Sequence, residues 1–449
     1  MSRRDNVFRL FEDRYDFVKD KIENGIEQNR KGYAFIEIKD ENGKPVDAEI
    51  EVKQKSHEFK FGANLFMLDQ METEEKNQAY KENFANLFNM ATLPFYWKDL
   101  EPEKDKPRYS KDSPNIYRRP APDLCVEFCR KHGIEPREHG LAYDTWYPDW
   151  LKGADEKTFK REYERRCREI SERYADAIPT IEVTNEQQWS LKSLDYCYDL
   201  DYVAHCFKIA EKYFPNNTLA INDYQGIFDN YTIRDLYCRT IENALLKGAR
   251  IDLIGTQFHM FFRSEQEQGA VKKRYDPKHV YDVLDTLAKF GKPLEITEVT
   301  IPAYSWEAED EEIQADIIEK MYSLWFSHPS VKHIIYWNLV DGYAAFAPLG
   351  DMKSGENYYH GGLMRFDMTK KPAYQRLYEL INSVWHTEEK ITAKGDGRAS
   401  FKGFYGNYEL TIKHGDKTVK REIFLSKDRI NCFHITLDKD TVARFDSNT

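Results

Sequence analysis

No stretch of the 449 residues approaches the roughly 18 uninterrupted apolar residues of a membrane-spanning helix, so no membrane partner is expected. Cysteine is sparse: the seven are scattered and odd in number, without a Cys-x-x-Cys pair, which leaves neither a disulfide framework nor a zinc site. Positive charge is outweighed, 66 Lys and Arg against 77 Asp and Glu, for a net charge of −11. Nucleic-acid binders usually carry a basic face to displace counterions, so nucleic acid is not an expected partner. No Gly-rich phosphate fingerprint opens a helical stretch, and no His-x-His or His-Glu-x-x-His occurs. No cofactor and no metal are therefore expected. The N-terminus begins basic, but Glu12, Asp13 and Asp16 stand where a secretory peptide needs its apolar run. The chain as given reads as cytoplasmic, or as secreted if a signal segment has been removed.

What the sequence has in quantity is aromatic residues, 14% of the total, with 29 Tyr, 27 Phe and 8 Trp. They suit core packing or the flat apolar faces of sugar rings. Residues 32–61 alternate apolar and polar about Asp40-Glu41-Asn42-Gly43-Lys44, a hairpin signal followed by a third strand. Near the other end, 400–404, 408–413, 418–424 and 432–437 read as short strands divided by Gly-Asn and Gly-Asp turns. Two incomplete β pieces at opposite termini need each other to bury their apolar faces, which predicts one small sandwich built from both. Between them, strand candidates at 59–65, 90–95, 135–142, 178–184, 219–223, 253–258, 294–298 and 333–337 alternate with amphipathic helices such as 122–132, 156–174 and 277–290. Eight strand–helix units predict an α/β fold, a (β/α)8 TIM barrel, rather than an open doubly wound sheet. The expected division is 1–58 as an N-terminal contribution to the β module, 59–385 as the barrel, and 386–449 as the C-terminal contribution.

In such a barrel chemistry sits at the C-terminal ends of the strands. Ile181-Glu182-Val183-Thr184-Asn185-Glu186 ends the fourth strand candidate and Leu294-Glu295-Ile296-Thr297-Glu298 the seventh, so Glu186 and Glu298 should both project into the mouth. Paired carboxyl groups are the minimum apparatus of glycosidic cleavage: one stays protonated to donate to the leaving oxygen, the other attacks as an anion. A crowded like charge is expected to raise the acid, and hydrogen bonds to keep the nucleophile ionised. His259 closes the sixth strand candidate, where it either bonds Glu298 or serves structure alone; Trp337 closes the eighth, as the floor of a sugar subsite or as a packing residue.

From Phe59 to Val384 these residues resemble glycoside hydrolase family 10, the xylanase family. Val183-Thr184-Asn185-Glu186 is similar to its acid/base strand, and Ile296-Thr297-Glu298 matches its nucleophile strand. Trp97 with Leu100-Glu101-Pro102-Glu103, Pro148-Asp149-Trp150-Leu151, Asn222-Asp223-Tyr224, Gly255-Thr256-Gln257-Phe258-His259 and Lys371-Pro372-Ala373-Tyr374 follow in the family's order. The resemblance implies a retaining hydrolase of β-linked glycans of xylan or xylo-oligosaccharide type, with Glu186 as acid/base and Glu298 as nucleophile. It also implies sugar contacts from Asn185, His139, Asp144, Gln257, His259, Trp337, Trp97 and Tyr224.

Two departures bear on specificity. Where the family carries Glu-Asn-x-Met-Lys-Trp, this chain has Thr92-Leu93-Pro94-Phe95-Tyr96-Trp97, which loses three polar or charged sugar contacts on the non-reducing side. His139-Gly140-Leu141-Ala142-Tyr143-Asp144 keeps the first His of the matching family segment and puts Asp144 in place of the second, either to read a different sugar or to point away. Of the usual second aromatic platform after Trp337, only Tyr343 or Phe346 is available. The alternative from another class is a barrel that binds carbohydrate without turnover, its carboxylate pair unbalanced by Asp144.

Overall fold

The computed structural model describes residues 2–189, 192–438 and 442–444. The last of the expected segments, 386–449, thus includes residues 439–441 and 445–449, which lie outside the described residues. The chain divides into two compact units, one comprising residues up to Val18 with Phe61–Trp325 and Ser330–Gln375, the other Lys19–Lys60, Phe326–Pro329 and the chain from Arg376 onward.

The first unit carries a closed barrel of eight parallel strands in chain order: Lys60–Asn64, Met90–Pro94, Glu135–His139, Thr180–Thr184, Thr218–Ile221, Leu253–His259, Leu294–Thr300 and Val331–Tyr336. Every residue of Met90–Pro94, Thr180–Thr184 and Leu253–His259 is buried, polar ones included, as strands covered on both faces require. The intervening helices are fixed by local signals. Asp155 caps Glu156–Tyr174 by accepting from the Thr158 amide. Pro122 opens Pro122–His132, and Gly133 closes it in the left-handed conformation at φ 65°. The third strand ends at His139, earlier than its sequence predicts, because Gly140 turns the chain at φ 96° and only Ala142 returns to bridge Thr184. The seventh runs on past Glu298 to Thr300.

The second unit contains two four-stranded sheets. One has the order Arg398–Phe404, Lys31–Lys39, Cys432–Thr436, Val442–Arg444; the other Glu388–Ala393, Ala48–His57, Gly406–His414, Lys417–Leu425. Ala34, Ile36 and Ile38 from the first and Ile50, Val52, Leu410 and Ile412 from the second share one buried core, so N-terminal and C-terminal segments do complete each other.

Two expectations need correction. The turn at Asp40 forms, its side chain accepting from the amides of Asn42 at 2.9 Å and Lys44 at 2.8 Å. It does not close a hairpin: Lys31–Lys39 and Ala48–His57 lie in different sheets, and the chain reversal carries only an isolated Lys39–Pro45 bridge. Both strands have one apolar face, and passing the chain across the core buries both at once. The expected N-terminal segment 1–58 also does not belong wholly to the β module: Arg3–Asp13 is a helix with a Ser2–Asp5 capping box in the barrel unit, where Arg3 pairs with Glu267 at 2.9 Å.

Candidate active site

Parallel strands bring their C-terminal ends to one mouth, and there a cavity of about 520 Å³ opens. Glu186 and Glu298 both border it, with Asn185, His139 and Gln257. His259, Trp337 and Tyr224 complete the expected residues that reach it.

The two carboxyl groups share a donor. Gln257 Nε2 donates to Glu186 Oε1 at 2.8 Å and to Glu298 Oε1 at 3.0 Å. Tyr143 donates its hydroxyl to the other Glu186 oxygen at 2.6 Å. His259 Nε2 meets Glu298 Oε2 at 3.0 Å, while its Nδ1 meets the Thr300 hydroxyl at 2.9 Å. Burial pushes His259 down to about 4, so the ring is neutral near pH 7. Asn222, fully buried on the loop after the fifth strand, ties the elements together. It donates to Asn185 at 2.9 Å and to Glu298 at 3.4 Å, accepts from Thr297 at 2.8 Å, and its carbonyl holds the Glu186 amide at 3.2 Å. Gly255 leaves it room: a Cβ there would lie 2.8 Å from Asn222 Oδ1.

Beneath the mouth, Arg137 on the third strand donates to Glu182 at 2.5 Å and to Glu295 at 2.6 Å, all three fully buried. Burial would raise both acids. Instead Arg137 with His333 brings Glu295 down to about 2, and His139 with Arg137 lowers Glu182. These ions cross-link the third, fourth and seventh strands, and the fourth and seventh present Glu186 and Glu298.

The electrostatics of the pair agree with expectation in direction at Glu186, which is raised, and depart from it at Glu298. Burial is the largest influence on both carboxyl groups and raises both, Glu298 well above the ordinary range, where Glu186 reinforces it and His139 opposes it. The bonds to Glu186 from Tyr143 and Gln257 oppose its rise without cancelling it. Enclosure outweighs the neutral donors that were expected to keep Glu298 ionised.

Two expected contacts do not reach the cavity. Asp144 sits in a tight turn that aims it at the following loop, where it accepts from the Ser193 amide at 3.3 Å and faces Lys192 at 3.7 Å. Trp97 is buried behind the wall, bonded to Glu101 at 2.9 Å and edge-on to Tyr147 and Trp150. His139 borders the cavity with its Nε2 engaged by the Tyr96 hydroxyl at 3.0 Å. Of the two aromatics offered after Trp337, Phe346 borders the cavity while Tyr343 is buried. Tyr143 escaped sequence reasoning although it directly precedes Asp144. Arg118, Arg119 and Trp189 also border the cavity from irregular loops that carry no periodic signal. Trp189 lies 4.9 Å from Tyr224, ring to ring. Among the described residues no group of three His, Cys, Asp or Glu could hold a metal ion.

A closed (β/α)8 barrel with two hydrogen-bonded carboxyl groups at its C-terminal mouth and aromatic walls defines a class of carboxylate-centred barrel proteins. The sequence pattern of Glycosyl hydrolase family 10 matches residues 53–380, and the chain belongs to that family. Among similar proteins, the anti-sigma-I factor RsgI6 of Acetivibrio thermocellus is 24% identical over 404 residues, covering 88% of this chain and 46% of that protein. Endo-1,4-beta-xylanase B of Cellvibrio japonicus is 24% identical over 252 residues, covering 55% and 38%. The chain thus spans less than half the length of these relatives. Xylanase 10B of Thermotoga maritima shares the fold with a TM-score of 0.59 at 20% identity, over 73% of this chain and 96% of that one.

Proposed function

We propose that the protein is a retaining glycoside hydrolase acting on β-linked glycans of xylan or xylo-oligosaccharide type, with Glu298 as nucleophile and Glu186 as general acid/base. The observation that carries the reading is the shared Gln257 nitrogen. Because it bonds both carboxyl groups, their facing oxygens lie within about 6 Å, below the ~6.5–9.5 Å that an inverting site needs for an intervening water. Glu298 attacks the anomeric carbon while Glu186 passes its proton to the departing glycosidic oxygen, which leaves a covalent glycosyl–Glu298 ester. Glu186, now anionic, takes a proton from water as that water attacks the same carbon and releases Glu298. Burial favours the protonated form of both carboxyl groups, Glu298 more strongly than Glu186, and the reaction requires the proton on Glu186 and the charge on Glu298. Neutral His259, with its hydrogen on Nε2, supports the Glu298 anion without adding charge.

The reading of a barrel that binds without cleaving rested on Asp144 disturbing the pair, and Asp144 instead faces Lys192 and Ser193. The test is mass spectrometry after incubation with an aryl 2-deoxy-2-fluoro-β-xylobioside. A single label on the peptide carrying Glu298, absent from Glu298→Ala, is expected. Labelling at another carboxylate, or none while β-xylo-oligosaccharides are cleaved, would refute the assignment.

A further inference from the structure

The wall on the side of the first, second and eighth strands contains a buried cation that no carboxylate contacts: burial disfavours its charge, and Glu356 opposes that only from beyond ion-pair distance. Arg118 borders the cavity and is 5% exposed. Its Nη1 spends both of the guanidinium's bonds on neutral acceptors, Asn338 Oδ1 at 3.2 Å and the Tyr343 carbonyl. Among the described residues no acceptor meets Nε or Nη2, and no carboxylate stands within ion-pair distance. The charges nearby are otherwise accounted for. Arg119 pairs with Asp99 at 2.7 Å while lying 3.9 Å over the Tyr96 ring, and Lys98 pairs with Asp149 at 3.3 Å. Glu356, which also borders the cavity, is held by the Asn338 amide at 3.2 Å.

Removing a guanidinium from water is costly unless its charge is matched. Arg118 also takes a left-handed backbone, φ 61°, that a side chain with a Cβ adopts at a cost. Its amide is fixed there by Gln70 Oε1 at 2.6 Å. Strain, desolvation and unused donors coincide at one residue facing the cavity. The same region lacks the charged and polar sugar contacts that Thr92, Leu93 and Tyr96 fail to supply.

Resting on the hydrolase reading of this cavity, we propose that Arg118 reads an anionic substituent, a carboxylate or a sulfate, on the sugar at the non-reducing side of the bond to be cut. The forked Nε–H and Nη2–H edge suits two oxygens of such a group, and the Phe66 ring 5.7 Å from the guanidinium carbon bounds the space beside it. A neutral sugar would leave the cation as it is now, short of partners.

The experiment is calorimetric titration of Glu298→Gln protein, which binds without turning over. The probes are xylotriose bearing one glucuronic acid on its non-reducing sugar, the same compound with that carboxyl reduced to a hydroxymethyl group, and xylotriose sulfated on that sugar. The proposal expects at least one acidic probe to bind roughly tenfold or more tightly than the neutral one. Which acid gains decides between carboxylate and sulfate. The ratio should collapse toward one in Glu298→Gln/Arg118→Met and fall partway in Glu298→Gln/Arg118→Lys, which keeps the charge and loses the fork. Acidic and neutral probes binding within about twofold of each other, or a preference unchanged in both Arg118 variants, overturns the proposal. Cleavage of the same probes by the unaltered protein is scored separately. Discrimination without cleavage would sink the hydrolase reading alone, and cleavage without discrimination the Arg118 proposal alone.

Discussion

Replacing Gln257 by Met removes the one donor that both carboxyl groups share while nearly preserving side-chain length and volume. A hydrogen bond to a charged group contributes about 1.5–3 kcal/mol, against about 1 kcal/mol to a neutral one. The preference for the ionised form lost on substitution is therefore about 1–2 kcal/mol, or roughly one pKa unit. Glu186, which Gln257 now holds down against burial, should rise by about that much, and Glu298 in the same direction. The direct assay is titration of the 13C-labelled glutamate carboxyl resonances in both proteins, which needs no turnover. In the hydrolase reading both limbs of the kcat/KM profile for an aryl β-xylobioside move to higher pH. Their height falls about tenfold, because Glu298 is less often ionised at neutral pH. Resonances that titrate within about 0.3 units of the parent protein would show that the shared amide does not set the protonation of the pair, whatever its distances.

Tyr143→Phe deletes the 2.6 Å bond to Glu186 without changing ring volume; kcat/KM should fall about tenfold, with the basic limb of the profile displaced upward, and an unchanged profile would argue against a role for the hydroxyl. Arg137→Met leaves Glu182 and Glu295 buried without their common cation, a loss of about 3–5 kcal/mol in denaturant unfolding, whereas a loss under about 1 kcal/mol would mean the acids simply take up protons. Burial lifts Asp223 to about 8, against the opposing amides of Tyr224 and Gln188. The folded state then binds an extra proton between about pH 4 and 8, so this group's contribution to stability is full below about pH 4 and is lost as pH rises through about 8. The melting temperature of the parent protein relative to Asp223→Asn should accordingly fall from pH 5 to pH 8, and a constant difference would refute the shift.

The barrel was legible because its signals are local and repeated: buried strands of four to seven residues alternate with capped amphipathic helices, and each carries its own boundary chemistry. That Glu186 and Glu298 meet at one mouth follows from their places at strand ends, once the strands are parallel and closed. Orientation within a turn was not legible. Tyr143 and Asp144 are neighbours, yet the tight turn beginning at Asp144 sends one side chain to Glu186 and the other to the Ser193 loop. The Asp40 turn has the same chemistry whether the next strand pairs with the last or crosses the core, and only the competition for apolar burial decides. Arg118 and Arg119 sit in an irregular loop between the second and third strands, where no period relates sequence to position.

Among the described residues eight other than glycine hold a positive φ, and Arg118, Glu186 and Phe346 of these border the cavity at the strand ends. Each such conformation costs of order 1 kcal/mol or more and persists only where neighbours over-determine it. At Glu186 the over-determination is visible: the Asn222 carbonyl fixes its amide, and Tyr143 and Gln257 fix its two oxygens. Burial of two acids at this point adds a second cost, and the Arg137 ions a layer below supply rigidity where the strands would otherwise relax to separate them. Arg118 shows the same strained backbone and the same desolvated charge with fewer partners than Glu186 has. A fold that meets the cost at both positions, while its helices and sandwich obey ordinary capping and patterning, places these two exceptions where a ligand would complete them.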